Sequence, residues 1–346
     1  MKKRVLSGIR ATGRLHLGNY LGAVRGMLEL QESSDYETFY MVADLHAITT
    51  PYDKESLREN AKEVVRDYLA AGLDPKKSTL FVQSDVPEHT ELAYFFSTAI
   101  NVATLQHLPT FKEKVKQYPE EVTMALLYYP VLMSSDILLY KAEKVPVGID
   151  QEPHLEIARK IARKMNDKFG TDFPEPTIFK TEGEYVPSLT GEGKMSKSVE
   201  GSYINLTDDI DTIREKLSKT PTDSGKGKIT KYQKEPVSLE GYKKYESDHR
   251  VEAKGVAALM YLVELFQSKE KRKEYEKLYT TTGVKYAELK ESLAASIYRD
   301  LKPIQERREK LTDKEIEKVL QEGAKEARKV ASATIKEVKE KMGLYG

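Results

Sequence analysis

Short apolar runs of strand length alternate with helical spacings along the first 170 residues, and that alternation admits few folds. Val5–Leu6, Thr38–Ala43 and Thr79–Gln83 read as strands, and the unbroken apolar stretch before Ala43 is what a strand covered on both faces requires. Between them Leu21, Val24 and Leu28 recur at helical spacing. Leu57, Ala61, Val64, Val65, Tyr68 and Leu69 then mark one face of a helix over Ser56–Gly72, which Gly72 closes. Glu91–Val102 reads as helix, Lys112–Tyr118 as a charged connection, Val145–Gly148 as a short strand and Leu155–Phe169 as helix. Strand–helix alternation of this kind predicts an α/β fold with a doubly wound parallel sheet and right-handed crossovers. Ligands in such sheets bind beyond the carboxyl ends of the strands, which here gathers Ser7–Asn19, Asp44–His46 and Gln83–Asp85.

The pattern breaks at Glu182–Gly201, where glycines enclose Lys194-Met-Ser-Lys-Ser198 and no amphipathic period survives, so a mobile loop is expected. Beyond Thr207 only helices are predicted: Val251–Phe266, Ser268–Tyr279 and Tyr286–Leu301, the last stopped by Pro303. Thr312–Glu315 spells a capping box for a final helix with Ala324, Ala327, Ala331, Ile335, Val338 and Met342 along one face. Two domains are expected, 1–206 and 207–346, the second a helical bundle.

Composition excludes several functions. The 346 residues contain no cysteine, so disulfides, thiolate zinc sites and a cysteine nucleophile are absent. Six histidines form no H-E-x-x-H or i, i+4 pair, which argues against a metal held by side chains. No run approaches a membrane span, and no apolar stretch follows Met1-Lys-Lys-Arg4 to make a secretory signal, so a cytoplasmic protein is expected. Residues 1–206 carry 25 Lys/Arg against 29 Asp/Glu, whereas 207–346 carry 31 against 26. A mildly basic second half suits nucleic acid or an ordinary solvated helical surface.

The first loop, Ser7-Gly-Ile-Arg-Ala-Thr-Gly-Arg-Leu-His-Leu-Gly-Asn19, joins a strand to a helix start and so offers an anion site. Its glycine spacing is not G-x-G-x-x-G, and Gly191-Glu-Gly-Lys-Met195 imitates a P-loop without a preceding strand. Ser134 and Ser135 lack a nucleophile elbow. The residues alone leave His16 and Asn19 open between phosphate ligands and helix caps. Asp136 lies in the apolar run Tyr128–Tyr140, where burial demands a partner such as a ligand N–H. Lys194 and Lys197 suit either a solvated loop or neutralisation of phosphoryl charge.

Together these motifs resemble a known family. His16-Leu-Gly-Asn19 is similar to the first signature of class I aminoacyl-tRNA synthetases, and Lys194-Met-Ser-Lys-Ser198 is their second signature unchanged. Tyr129–Tyr140, Pro146-Val-Gly-Ile-Asp-Gln151, Thr110-Phe-Lys-Glu-Lys114, Lys302-Pro-Ile-Gln-Glu-Arg307 and Glu322-Gly-Ala-Lys325 look like the tryptophanyl-tRNA synthetase forms. The likeness runs from about Val5 to Leu344 and implies a Rossmann-like catalytic domain with a C-terminal α-helical anticodon-binding domain. It also implies tryptophan, ATP with Mg²⁺, tRNA(Trp) and a homodimer, with no protein-ligated metal.

Carried over by position, Arg10, Ala11, Thr12, His16, Gly18, Asn19, Gly148, Ile149, Asp150 and Val186 would line the ATP site. Lys194, Met195, Ser196, Lys197 and Ser198 would close over the phosphates, with Lys114 helping the catalytic Lys194, Lys197 and Ser198. Asp136 would accept the indole N–H in a pocket shaped by Leu6, His46, Tyr129, Met133, Val145, Val147 and Gln151. Leu6, Arg10 and Ile149 depart from the commoner aromatic, glutamine and acidic residues of the family. Two rivals share the features: a tyrosyl-tRNA synthetase, and a tRNA-binding protein on a synthetase scaffold without catalysis.

Overall fold

The apolar runs pair as parallel strands in a computed structural model that describes residues 2–148, 151–179, 186–197, 199–228 and 254–345. Strand β1 (Lys3–Arg10) pairs with β2 (Tyr36–Ala43) along its whole length, Lys3 opposite Tyr36 and Arg10 opposite Ala43. β3 (Ser78–Val82) lies beyond β2, while β4 (Lys144–Val145) and β5 (Thr177–Ile178) extend the other side of β1, giving the order β3-β2-β1-β4-β5. Chain direction reverses its winding between β1 and β4, and the carboxyl ends there form the crevice in which such sheets take ligands.

The chain separates into two compact units, one of residues 1–13, 26–180 and 311–346, the other of 14–25 and 181–310. In the first unit the sheet is flanked by α1 (Arg25–Glu32) and α2 (Lys54–Ala71). Helix α2 ends, as its sequence predicts, at Gly72 in the left-handed region, φ 117°. Then come α3 (Glu88–Ser97), α4 (Pro109–Gln117), α5 (Met124–Leu139) and α6 (Glu152–Phe169). The charged stretch expected as a connection is thus helical. Pro109 at its first position sets the helical φ, but no side chain of α4 is buried, so no apolar stripe announces it. Apolar Tyr128–Tyr140 proves to be most of α5, buried nearly all round from Pro130 onward.

The last helix, α11 (Asp313–Met342), starts at the Thr312–Glu315 capping box and packs on β3, α2, α3 and α5. Its approach to β3 is so close that a Cβ on Gly323 would stand 1.7 Å from the Leu80 carbonyl oxygen, so only glycine fits there.

The second unit holds α7 (Ile210–Ser218), α8 (Lys254–Phe266), α9 (Lys269–Thr280) and α10 (Tyr286–Arg308). Contrary to the sequence reading, Pro303 does not end α10. Pro303 and Arg299, the residue whose carbonyl a proline at 303 leaves without its helical donor, are both exposed, so the break falls on the outer face of the helix. The start of the predicted Val251 helix lies outside the described residues up to Lys254. The described part of the expected loop folds into a small hairpin: Met195 N–H donates to Val186 O at 2.9 Å and Ser188 N–H to Gly193 O at 2.9 Å. Gly191 and Gly193 turn it with φ of 83° and 68°.

Candidate active site

Asp136 sits on α5 with 1% of its surface exposed, and burial in an apolar helix makes hydrogen-bond donors to its carboxylate necessary. Three side chains from elsewhere in the fold supply them. Gln83, just past β3, donates Nε2–H to Oδ1 at 2.8 Å, and His89 on α3 donates Nδ1–H to the same oxygen at 2.7 Å. His46, just past β2, donates Nε2–H to Oδ2 at 2.7 Å. An ionised carboxylate only accepts, so each imidazole nitrogen that faces it carries a proton. The Tyr140 hydroxyl then donates to His89 Nε2 at 3.0 Å, and His46 N–H reaches Gln83 Oε1 at 3.4 Å. Burial pushes the Asp136 pKa up, but the charge and hydrogen bond of His46 and the bond from His89 outweigh it, lowering the pKa to about 2. The carboxylate is therefore a fixed negative charge at neutral pH.

The residues expected for the pocket take the following places in the first unit. His46 and Tyr129 meet edge to face with ring centroids 6.4 Å apart. The Tyr129 hydroxyl is held by Thr110 Oγ1 at 2.9 Å and His154 Nε2 at 2.7 Å. Leu6 and Val145 belong to the buried cluster against which half-buried Met133 and Val147 pack. Gln151 N–H donates to Gly148 O at 3.0 Å, placing it just beyond β4.

Arg10 ends β1 and is clamped by bonds from Nη2 to Thr50 Oγ1 at 2.9 Å and to Ala47 O at 3.4 Å, while its buried Nε has no partner among the described residues. Burial lowers the Arg10 pKa. Lys114 on α4 is lowered by burial and then by the charge of Arg10. Two cations thus repel one another in a partly dry site, an arrangement that an anion would relieve. Ala11 is buried, and Thr12 N–H turns back to Arg10 O at 2.7 Å.

In the second unit His16 stands at the N-cap of the short helix Leu17–Asn19, its carbonyl accepting Asn19 N–H at 2.9 Å while Asn19 Oδ1 accepts His16 N–H at 3.2 Å. The capping geometry considered for these residues is therefore realised. Added Cβ on Gly18 would come within 2.9 Å of the His16 ring and 3.1 Å of Met195 Cβ, so a glycine here lets the second signature settle on the first. Burial, followed by the charges of Lys197 and Lys194, lowers His16 to about 4, so it is neutral at pH 7. Its Nδ1 is buried without a partner among the described residues. Val186 and Met195 are buried, and Ser196 is tied into the same hairpin through Ser202. Ile149, Asp150 and Ser198 lie outside the described residues.

Sequence reasoning placed Gln83 only at a strand end and treated His89 and His154 merely as unpaired histidines. Their roles come from partners 53, 47 and 25 positions away, beyond the reach of any local spacing. A glutamine at a strand's carboxyl end and a histidine one turn into the next helix were the available signals.

The lowered pKa of Asp136 has a consequence for stability. Its folded value lies below the ordinary 3.8, so the stabilisation is complete above about pH 4 and is lost as pH falls through 2. Urea unfolding of the protein and of Asp136→Asn should therefore differ most above pH 5. The difference should shrink by roughly 2 kcal/mol toward pH 2. A difference that stays constant over that range contradicts the network.

The family model described as tRNA synthetases class I (W and Y) matches residues 1–302. The tryptophan--tRNA ligase of Caldanaerobacter subterraneus subsp. tengcongensis is 42% identical, covering 99% of this chain and 98% of its own. That of Porphyromonas gingivalis is 39% identical over 98% of both chains. Among solved structures, tryptophanyl-tRNA synthetase from Mycoplasma pneumoniae superposes with TM-score 0.83 at 32% identity, covering 100% of this chain and 99% of its own. The Campylobacter jejuni enzyme complexed with ADP and tryptophan gives 0.78 at 32%, covering 99% and 100%. With the two signatures packed on one another and the parallel sheet in the order described, the chain belongs to the class I tRNA synthetases of the tryptophan and tyrosine family.

Proposed function

We propose that the chain activates L-tryptophan with ATP to tryptophanyl-adenylate and pyrophosphate, then transfers the tryptophanyl group to tRNA(Trp). One observation carries the substrate choice. Asp136 is held as a carboxylate, and among the described residues Oδ2 receives only the His46 donor, which leaves it an acceptor position for an indole N–H. Leu6, Met133, Val145, Val147 and Tyr129 give that position apolar and aromatic surroundings, and Gln151 a polar edge.

In activation the tryptophan carboxylate attacks the α-phosphorus of ATP and the bond to pyrophosphate breaks, so no enzyme nucleophile is needed. What the protein supplies is position and charge. Lys194 and Lys197, whose charges reach His16, are assigned to the pyrophosphate, with Ser198 and Lys114 as further donors. Neutral His16 donates without adding charge, beside Gly18 and Asn19. Arg10, Ala11, Thr12, Gly148, Ile149, Asp150 and Val186 are assigned to the rest of ATP, and Met195 and Ser196 to holding the lysines in place. Mg²⁺ would accompany the ATP phosphates and spread their charge; among the described residues no group of three or more His, Asp or Glu is placed to hold a metal.

Helices of 207–346 are assigned to the tRNA anticodon. No helix among the described residues is long and apolar enough to cross a membrane, and a cytoplasmic enzyme fits that. Tyr94, Val102, Val122 and Met124 are exposed apolar residues on α3, at the start of Val102–Gln106 and around the start of α5, and Tyr94 and Met124 are over 70% exposed. A second copy of the chain is the proposed cover for this face. Sedimentation of the purified protein tests it: a dimer of the 39.4 kDa chain is expected, and a monomer at micromolar concentration contradicts it.

Amino-acid-dependent ATP–pyrophosphate exchange tests the reaction itself. Exchange should require tryptophan, and Lys197→Ala should cut turnover at least about a hundredfold while leaving tryptophan affinity within twofold. Exchange driven by tyrosine, or absent with every amino acid while tRNA still binds, contradicts the proposal.

A further inference from the structure

We infer that Ser202 is the positioning residue that sets the conformation of the Lys194–Lys197 segment, an inference that rests on the proposed synthetase reaction. Ser202 is fully buried, and its one hydroxyl uses both of its roles on a single residue of the signature. Its Oγ–H donates to Ser196 O at 2.6 Å, and the same oxygen accepts Ser196 N–H at 3.2 Å. Its backbone is equally committed: the N–H donates to Val199 O at 3.2 Å and the carbonyl accepts Leu189 N–H at 2.9 Å. Val199 N–H also reaches Ser196 O at 3.2 Å, and Gly201, with φ 72°, turns the chain back so that Ser202 faces Ser196. The side chain thus holds the hairpin at Ser196, the residue between Met195 and Lys197, while the Ser202 backbone carbonyl holds Leu189.

The residues that follow carry this anchor to the first signature. Ile204 O accepts Leu17 N–H at 2.8 Å, Leu206 N–H donates to Leu15 O at 3.0 Å, and His16 pairs with Asn205 as an antiparallel bridge. Tyr203 lies with its ring centroid 5.7 Å from that of His16. Ser202 is therefore the last covalent joint between the segment that pairs with His16 and the segment that bears the lysines. A shift of either pulls on one buried hydroxyl. Lysines that must meet charge developing only in the transition state need a defined register, and a donor–acceptor pair made in a single loop conformation supplies it. Ground-state tryptophan binding involves neither segment, so Ser202 should act on turnover and not on affinity.

The experiment compares Ser202→Ala and Ser202→Cys with the unsubstituted protein in tryptophan-dependent pyrophosphate exchange. Tryptophan binding is titrated by the fluorescence of the substrate, which is readable because the chain contains no tryptophan. Ser202→Ala should lose about tenfold to a hundredfold in kcat, with the tryptophan dissociation constant within twofold. Ser202→Cys, which keeps the size and a weaker donor, should fall between. A merely structural role would lower thermal stability and the fraction of active protein without changing kcat per active site. Unchanged kcat in Ser202→Ala, or equal losses of kcat and tryptophan binding, overturns the inference. No tryptophan-dependent exchange in the unsubstituted protein overturns the functional reading, and the inference with it.

Discussion

A carboxylate buried inside an apolar helix has to be compensated on all sides, and Asp136 imposes that demand on the whole of the first unit. Leaving such a charge unpaired costs several kcal/mol, more than a marginally stable domain tolerates. The donors come from three separate places: the end of β2 through His46, the end of β3 through Gln83, and α3 through His89. Strand register fixes the first two, because β2 pairs with β3 from Thr38 opposite Ser78 to Val42 opposite Val82, bringing both exits to the same edge of the sheet. Tyr140 closes the far side of His89 and stacks on Phe39. The same bonds that make burial tolerable hold the negative charge that, in the proposed function, reads an aromatic N–H.

The second unit solves a different problem with similar means. In the proposed reaction Lys194 and Lys197 serve phosphate, and His16 beside them is kept neutral by burial and by their own charges. Close packing of Met195 on Gly18 and the hydroxyl of Ser202 hold the hairpin through small contacts rather than a large core. Such a segment is specified by position more than by buried area.

That contrast explains what the sequence disclosed. β2, α2 and α11 were legible because they bury periodic apolar faces and end in chemistry with one meaning, Gly72 in the left-handed region and the Thr312–Glu315 box. Helix α4 was not, because none of its side chains is more than partly buried, and the run of α10 through Pro303 was not, because the proline's cost depends on whether its side of the helix meets solvent. The hairpin of 186–197 escaped for the same reason as the loop reading of Lys194–Ser198 arose: its order comes from backbone pairs and one serine, which leave no period in the sequence. The partners of Asp136 were invisible until the sheet brought them together, although the need for partners was readable from its apolar neighbours.

The central claim is that the Asp136 carboxylate selects its substrate through an N–H donor. Pyrophosphate exchange with L-tryptophan and with its sulfur isostere, 3-benzothienyl-L-alanine, isolates that donor, because the two side chains differ little in size and only one can donate. The account predicts that kcat/KM for the isostere is lower by at least about a hundredfold, as expected for a site left with a buried polar group unpaired. Equal kcat/KM values for the two would contradict it.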